Sequence, residues 1–290
     1  MRSLFSKGVS PAGARLGLFI TGILWSTSGI LIKLVPWNPM AIASLRSLIA
    51  AGVIWLYMRP KKIRFNKRTV TCGIFMGFCL AAFVTANKLT TSANAIMLQY
   101  TSPIFTLVIT ALFFRSKVKK SDILIVVLAM GGIALFFFGK LSSSGMAGNL
   151  LALFSGFTYA CVYIFSSAYG DDAIHGILLG HLLCFLIGLP FIIADPPALS
   201  AVSVASLAGM GIFQLGLPYI IFSEVMRYST AFDATIITMI EPLLNPLWVF
   251  VGTGETPGVL AIIGGIVVLF AILLKARLGG AKKIELKIES

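Results

Sequence analysis

The chain has 290 residues, 58% of them hydrophobic and only 11% charged, with a formal net charge of +13. A soluble domain carries roughly a quarter charged residues because its surface faces water, so this composition excludes a water-solvated globule. It also argues against a nucleic-acid binder, because the basic residues sit in short clusters between long uncharged runs rather than along one stripe.

A helix needs about 20 mostly apolar residues to cross a hydrocarbon core, and ten stretches qualify. The first, 16–35, follows Arg2, Lys7 and Arg15 and superficially fits a secretory leader. It is as long as a spanning helix and no small-x-small cleavage site follows, so it is expected to stay as the first span. Trp25, Gly29 and Lys33 share one of its faces. The second, 40–58, holds Arg46 among Ala43 and Ala50 and runs into Arg59, Lys61, Lys62, Arg64, Lys67 and Arg68. The third, 70–87, ends at Lys88. The fourth, 93–114, contains Tyr100 and a polar stripe of Gln99, Pro103, Thr106 and Thr110, then exits into Arg115, Lys117, Lys119 and Lys120. The fifth, 123–139, contains Gly131 and Gly132.

The second half follows the same rhythm. The sixth span, 147–167, carries Tyr159 and Tyr163, and Asp171 and Asp172 precede the seventh, 174–194, with His181 inside it. The eighth, 204–223, contains Tyr219 and ends beside Glu224, placed to pair with Arg227. The ninth, 231–251, has Glu241 before Pro242, with Asn245 and Trp248 on the same face. The tenth, 258–275, holds Gly264 and Gly265 and leaves through Lys275, Arg277, Lys282, Lys283 and Lys287.

With both termini inside, every basic residue except Lys33, Arg46, Lys88 and Lys140 falls on the cytoplasmic side, as the positive-inside rule requires of a multi-pass cell-membrane protein. The side of the loop at Asp171 and Asp172 rests on counting alone. The four cysteines lie in apolar runs without metal-ligand spacing and read as small buried hydrophobes. No metal or cofactor is implied.

The two halves repeat. Residues 87–95 run parallel to 226–234, the same offset brings Pro103 onto Pro242, and Gly131-Gly132 correspond to Gly264-Gly265. Five crossings insert the second copy upside down, so 1–140 and 141–290 form two inverted five-helix repeats within one membrane domain. Inverted repeats let a central site face each side of the membrane in turn. The glycine pairs have two uses, packing the bundle or packing a homodimer.

These residues resemble the drug/metabolite transporter superfamily, specifically its ten-helix EamA-type members. The pattern is an aromatic-x-A-L-x-x-x-S/T-A end to the third helix, then small residues, then a proline inside helices four and nine. Here Lys88–Ala95 with Pro103, and Arg227–Ala234 with Glu241-Pro242, carry it, and Trp25 in helix one fits as well. The likeness covers 16–275. An acidic residue often follows helices four and nine in such proteins; Glu255 fits the second place, whereas Arg115-Ser116 occupies the first. The resemblance implies transport of small organic solutes, cytoplasmic termini and a cavity between the halves.

Charge at membrane depth is unfavourable unless it is paired or faces water, which makes Lys33, Arg46 and Glu241 the leading functional candidates. Glu241 is expected to line a cavity and either bind a substrate cation or carry a proton; its structural alternative is a pair with Arg46 or Lys33. Arg46 is suited equally to a substrate carboxylate or to that pair, and Lys33 to snorkelling. Trp25, Tyr159, Tyr163 and Trp248 could enclose an ammonium group, while Gln99 and Asn245 supply hydrogen bonds. The expected function is secondary transport of a zwitterionic or cationic metabolite (an amino acid, amine or choline-like compound) in lipid, with Glu241 as a proton-coupling candidate. The alternative is an exporter of neutral or anionic solutes using Arg46 and Lys33. An intramembrane enzyme is remote, since HExxH, GxSxG and paired intramembrane aspartates are all missing.

Overall fold

Apolar side chains cover the outside of the molecule, and buried polar groups are set into an otherwise apolar interior. The structure, a computed structural model, describes residues 9–59, 62–138, 145–244, 248 and 258–278, with backbone alone at 29, 30, 33, 92 and 93. Leu112 and Phe113 are 72% and 76% exposed, as suits a lipid-facing surface, while Thr21, Ser44, Thr106, Ser155 and His181 are wholly inaccessible.

Among the described residues the chain is all-α and forms ten spans once interrupted helices are counted as one. These are α1 (Pro11–Ser26, continued as Ser28–Lys33), α2 (Pro39–Met58), α3 (Lys67–Leu89), α4 (Ser92–Gln99, continued as Ser102–Phe114) and α5 (Lys120–Phe136). The second set is α6 (Met146–Tyr169), α7 (Ala173–Ala194), α8 (Ala201–Gly209 through Met210–Gly216 to Leu217–Met226), α9 (Ala231–Ile237 and then 240–244) and α10 (Val259–Leu278). Sequence length alone did not anticipate the interruptions. Among the described residues six helices are long and apolar enough to cross by themselves; α1, α9 and the 17-residue α5 are not among them. One of the six, Met146–Ala194, runs for 49 residues, far more than a single crossing needs. A turn of 3-10 helix at Gly170–Asp172 divides it into α6 and α7.

The packing has two-fold logic. α3 lies on α6 and α7, and α8 lies correspondingly on α1 and α2; α4 lies on α6, and α9 on α1. α2 meets α7, α4 meets α9 and α5 meets α10. Exchanging α1 with α6, α2 with α7 and so on maps this set of contacts onto itself. Lipid offers no hydrophobic drive between spans, so close backbone approach carries the association. At the α5–α10 crossing, a Cβ on Gly132 would lie 2.9 Å from Gly264 O, and one on Gly264 would lie 2.5 Å from Gly132 O. That crossing uses one member of each glycine pair inside the chain.

Polar contacts tie the helix ends into two opposite sets. At one end Arg64 pairs with Asp172 at 2.9 Å, Arg227 pairs with Asp171 at 2.8 Å and with Glu224 at 3.2 Å, and Arg15 Nη1 donates to Ala276 O. At the other, Trp37 Nε1 donates to Ala198 O, and Thr90 Oγ1 and Asn94 Nδ2 both donate to Asn149 Oδ1. The acidic loop at Asp171 and Asp172 therefore shares the arginine-rich end, where opposite charge holds it.

Lys275 belongs to neither the loop nor the open surface. It is 3% exposed, with Nζ 3.2 Å from Asp122 Oδ1 and 3.0 Å from Asp233 Oδ1, the latter off hydrogen-bond angle, and 4.4 Å from the Phe232 ring centroid. Sequence reasoning grouped this lysine with the solvated basic tail. Buried between two carboxylates, it instead joins α5, α9 and α10. Removing one partner of a buried ion cluster strands the others, so Lys275→Met is expected to cost about 3–5 kcal/mol of stability. Neutralising both aspartates in the same protein should restore most of it; detergent unfolding of the three variants checks this. The division into two ends has its own test. Cysteines placed at Met146 and at Asp171 in a cysteine-free background should label from opposite faces with an impermeant maleimide, and labelling from one face would contradict the arrangement.

Candidate functional site

Two prolines shape the centre of the bundle. Proline has no N–H and clashes with the carbonyl four residues earlier, which in lipid must find another partner. In α9, Pro242 frees the carbonyl of Thr238, and the helix tightens there, with Glu241 N–H donating to Thr238 O at 3.0 Å. In α4, Pro103 frees that of Gln99, and the helix turns at Tyr100 and Thr101 before restarting at Ser102. Each freed carbonyl faces a glycine from the first span of the other repeat. A Cβ on Gly22 would approach Thr238 O to 3.3 Å, and one on Gly156 would approach Gln99 O to 2.9 Å. These two glycines occupy equivalent places in α1 and α6, as do Trp25 and Tyr159 one turn on. The breaks in α4 and α9 thus bring the aromatic faces of α1 and α6 to the middle.

Glu241 stands at the α9 break. Tyr100 Oη donates to its Oε2 at 2.6 Å, so the α4 break supplies the partner of the acid at the α9 break. The side chain lies within Coulombic range of Arg46, but no ion pair within 4.0 Å joins the two. Glu241 is only partly buried although it lies inside a span, at the α9 break. The structural pair of Glu241 with Arg46 is therefore not formed.

The aromatic residues converge beside it. Trp25 packs on Tyr159 at 6.1 Å between ring centroids, on Tyr219 at 5.1 Å and on Phe222 at 5.7 Å. Tyr159 meets Tyr163 at 4.6 Å, and Tyr163 Oη lies 2.6 Å from Thr238 Oγ1, one turn before Glu241. Trp25, Tyr159, Tyr163 and Glu241 thus form one continuous group drawn from both repeats.

Other candidate residues are placed differently. Trp248 Nε1 donates to Ser26 Oγ at 2.8 Å, fastening that indole beside the interruption of α1. Gln99 donates to Ser155 Oγ at 2.8 Å and reaches Cys79 Sγ, so its amide is engaged between α3, α4 and α6. Arg46 is 5% exposed on α2 and lies near Tyr219 and Cys184. Asn245, Glu255 and the Lys33 side chain lie outside the described residues. Tyr100 and Tyr219 are the partners that sequence reasoning noticed only as aromatics inside spans. Tyr100 directly precedes the Thr-Ser-Pro stretch at the α4 break, and that position was the available signal. Phe222 and Gln214 carried none.

Comparison with known proteins agrees with this architecture. The model of the EamA-like transporter family matches twice, at residues 13–138 and 146–276. An uncharacterized transporter of Archaeoglobus fulgidus is 22% identical over 90% of this chain and 95% of its own length. Two uncharacterized transporters of Bacillus subtilis, YdfC and YxxF, are 24% and 25% identical over 84% and 93% of this chain and 84% and 90% of their own. One crystal structure superposes with a TM-score of 0.80 at 15% identity, covering 93% of this chain and 98% of the other, a likeness of fold alone.

The Tyr163–Thr238 contact joins α6 to the α9 break, and a buried hydrogen bond contributes about 0.5–1.5 kcal/mol. Tyr163→Phe and Thr238→Val should each remove that amount, and the double variant no more than the larger single loss. Full additivity in thermal unfolding would mean that the two hydroxyls act independently.

Proposed function

Because the chain belongs to the EamA-like transporter family, we propose that it is a secondary active transporter of a small zwitterionic or cationic metabolite, an amino acid, an amine or a choline-like compound, working by alternating access. Glu241 is its cation-binding group and its proton carrier. The observation that carries this reading is the position of Glu241: at a proline break between the repeats, only partly buried, hydrogen-bonded to Tyr100 and flanked by the aromatic group.

The chemistry follows from that surrounding. Aromatic faces attract a desolvated cation by about 2 kcal/mol or more, and an ionised Glu241 adds a direct charge partner. When the site is empty the same carboxylate can take a proton, which couples solute movement to the proton gradient. The breaks in α4 and α9 give each half a short, separately movable segment, as midplane sites in inverted-repeat transporters have. The repeats in this reading are 1–140 and 141–290, inserted in opposite senses, and the symmetric packing of the ten spans supports them. The arginine-rich end, with both chain termini, faces the cytoplasm of a cell membrane by the positive-inside rule. A homodimer draws no support from Gly132 and Gly264, which face each other within one chain.

Glu241→Gln keeps volume and most hydrogen bonding but removes the charge. In proteoliposomes, with a solute found by thermal-shift screening of the wild type, this variant should lose pH-dependent uptake while its unliganded melting temperature stays near that of the wild type. Uptake that is normal and still pH-dependent would overturn the role.

A further inference from the structure

Buried polar atoms without partners cluster on the side of the aromatic group formed by α1, α2, α7 and α8. Trp25 Nε1, Arg46 Nε, both ring nitrogens of His181 and Gln214 Oε1 make no hydrogen bond, and these residues are 3%, 5%, 0% and 5% exposed in that order. One ring organises them. Tyr219 is packed by Trp25 at 5.1 Å and by His181 at 5.0 Å, and the charge of Arg46 acts on both Tyr219 and His181. Gln214 lies on the π-helical segment Met210–Gly216. That segment runs against α2 so closely that a Cβ on Gly211 would be 3.2 Å from Arg46 O.

Native interiors rarely leave buried polar groups unsatisfied, and an unpaired guanidinium at membrane depth is more unfavourable still. The carboxylate whose charge acts on Arg46 is Glu241, which Tyr100 already engages. What the cluster lacks is an acceptor. An indole N–H and a guanidinium can only donate, a neutral imidazole donates through one nitrogen, and an amide can turn to present its NH₂ group. A planar anion with two oxygens matches the guanidinium fork better than a spherical one.

We propose that Arg46, His181, Trp25 and Gln214 form a carboxylate-binding pole that complements the acidic pole at Glu241. The substrate is then an amino-acid-like zwitterion rather than an amine or a choline-like cation. This rests on the reading of the central region as the transport site and narrows it.

Acetate is the simplest probe. In the purified full-length protein, at constant ionic strength, sodium acetate should raise the melting temperature saturably, and sodium chloride and methylammonium chloride should not. Arg46→Gln should weaken the apparent acetate affinity about tenfold or more. His181→Phe, which keeps a ring against Tyr219, should weaken it as well and serves if the arginine variant does not fold. Glu241→Gln should keep the acetate response. The proposal is overturned if acetate gives no saturable rise, if chloride matches it, or if both pole variants respond like wild type. The two readings fail separately. Loss of pH-dependent uptake in Glu241→Gln without any acetate response would remove the carboxylate pole alone. Normal uptake in that variant with an Arg46-dependent acetate response would keep the pole and remove the role of Glu241.

Discussion

A proline inside a lipid-embedded helix leaves a carbonyl that the regular i to i−4 pattern no longer satisfies and the surrounding hydrocarbon cannot, and the protein must answer this twice, at Pro103 and at Pro242. The answer is the same in both halves. The helix tightens or turns, and a glycine of the first span in the opposite half, Gly22 or Gly156, brings backbone against the break. From this one constraint follow the interruption of α4 and α9, the crossing of α1 on α9 and of α6 on α4, and the convergence of Trp25 and Tyr159. It also places the hydroxyl of Tyr100, next to one break, on the carboxylate of Glu241, next to the other. Repeats made of straight helices would have no such meeting point.

Polarity is distributed accordingly. The acid, the arginine and the histidine lie inward among aromatic rings, while the lipid-facing surface carries leucine, isoleucine and phenylalanine. The arginine-rich end is held by several ion pairs and by the buried Lys275 cluster. The opposite end is joined, among the described residues, by neutral hydrogen bonds from Trp37, Thr90 and Asn94. Among the described residues the two ends are therefore fastened differently, by charge at one and by neutral donors at the other. At the charged end the Lys275 cluster holds its ions at low dielectric, whereas the Arg64–Asp172 and Arg227–Asp171 pairs each have a largely exposed partner.

Much of the fold was legible because membrane solvation writes strong signals into composition: long apolar runs, basic clusters between them, and a proline repeated at a fixed offset. The number and order of the spans came from these. The prolines mark α4 and α9 for interruption without fixing the residues at which each helix yields, and Thr27, where α1 is interrupted, looks like an ordinary helical residue. The π-helical stretch of α8 is likewise silent in its sequence. Glu241 stood out as a carboxylate beside a proline in an apolar run, yet its partner did not, since a tyrosine in a span gives no sign of which way it points. Lys275 was misjudged because a lysine at the end of an apolar run normally snorkels to the interface. Two aspartates from distant helices, Asp122 and Asp233, hold it inside instead.

The central claim is that Glu241 is a titrating carboxyl in contact with water at the middle of the bundle. Infrared difference spectroscopy on the purified, unliganded protein tests it without knowledge of the solute. As pH falls, a protonated-carboxyl band should appear in the wild type and be missing from Glu241→Gln, and it should shift promptly on transfer to heavy water. Identical difference spectra for the two proteins, or a Glu241 band that resists exchange, would mean a carboxyl sealed in packing and would contradict the account.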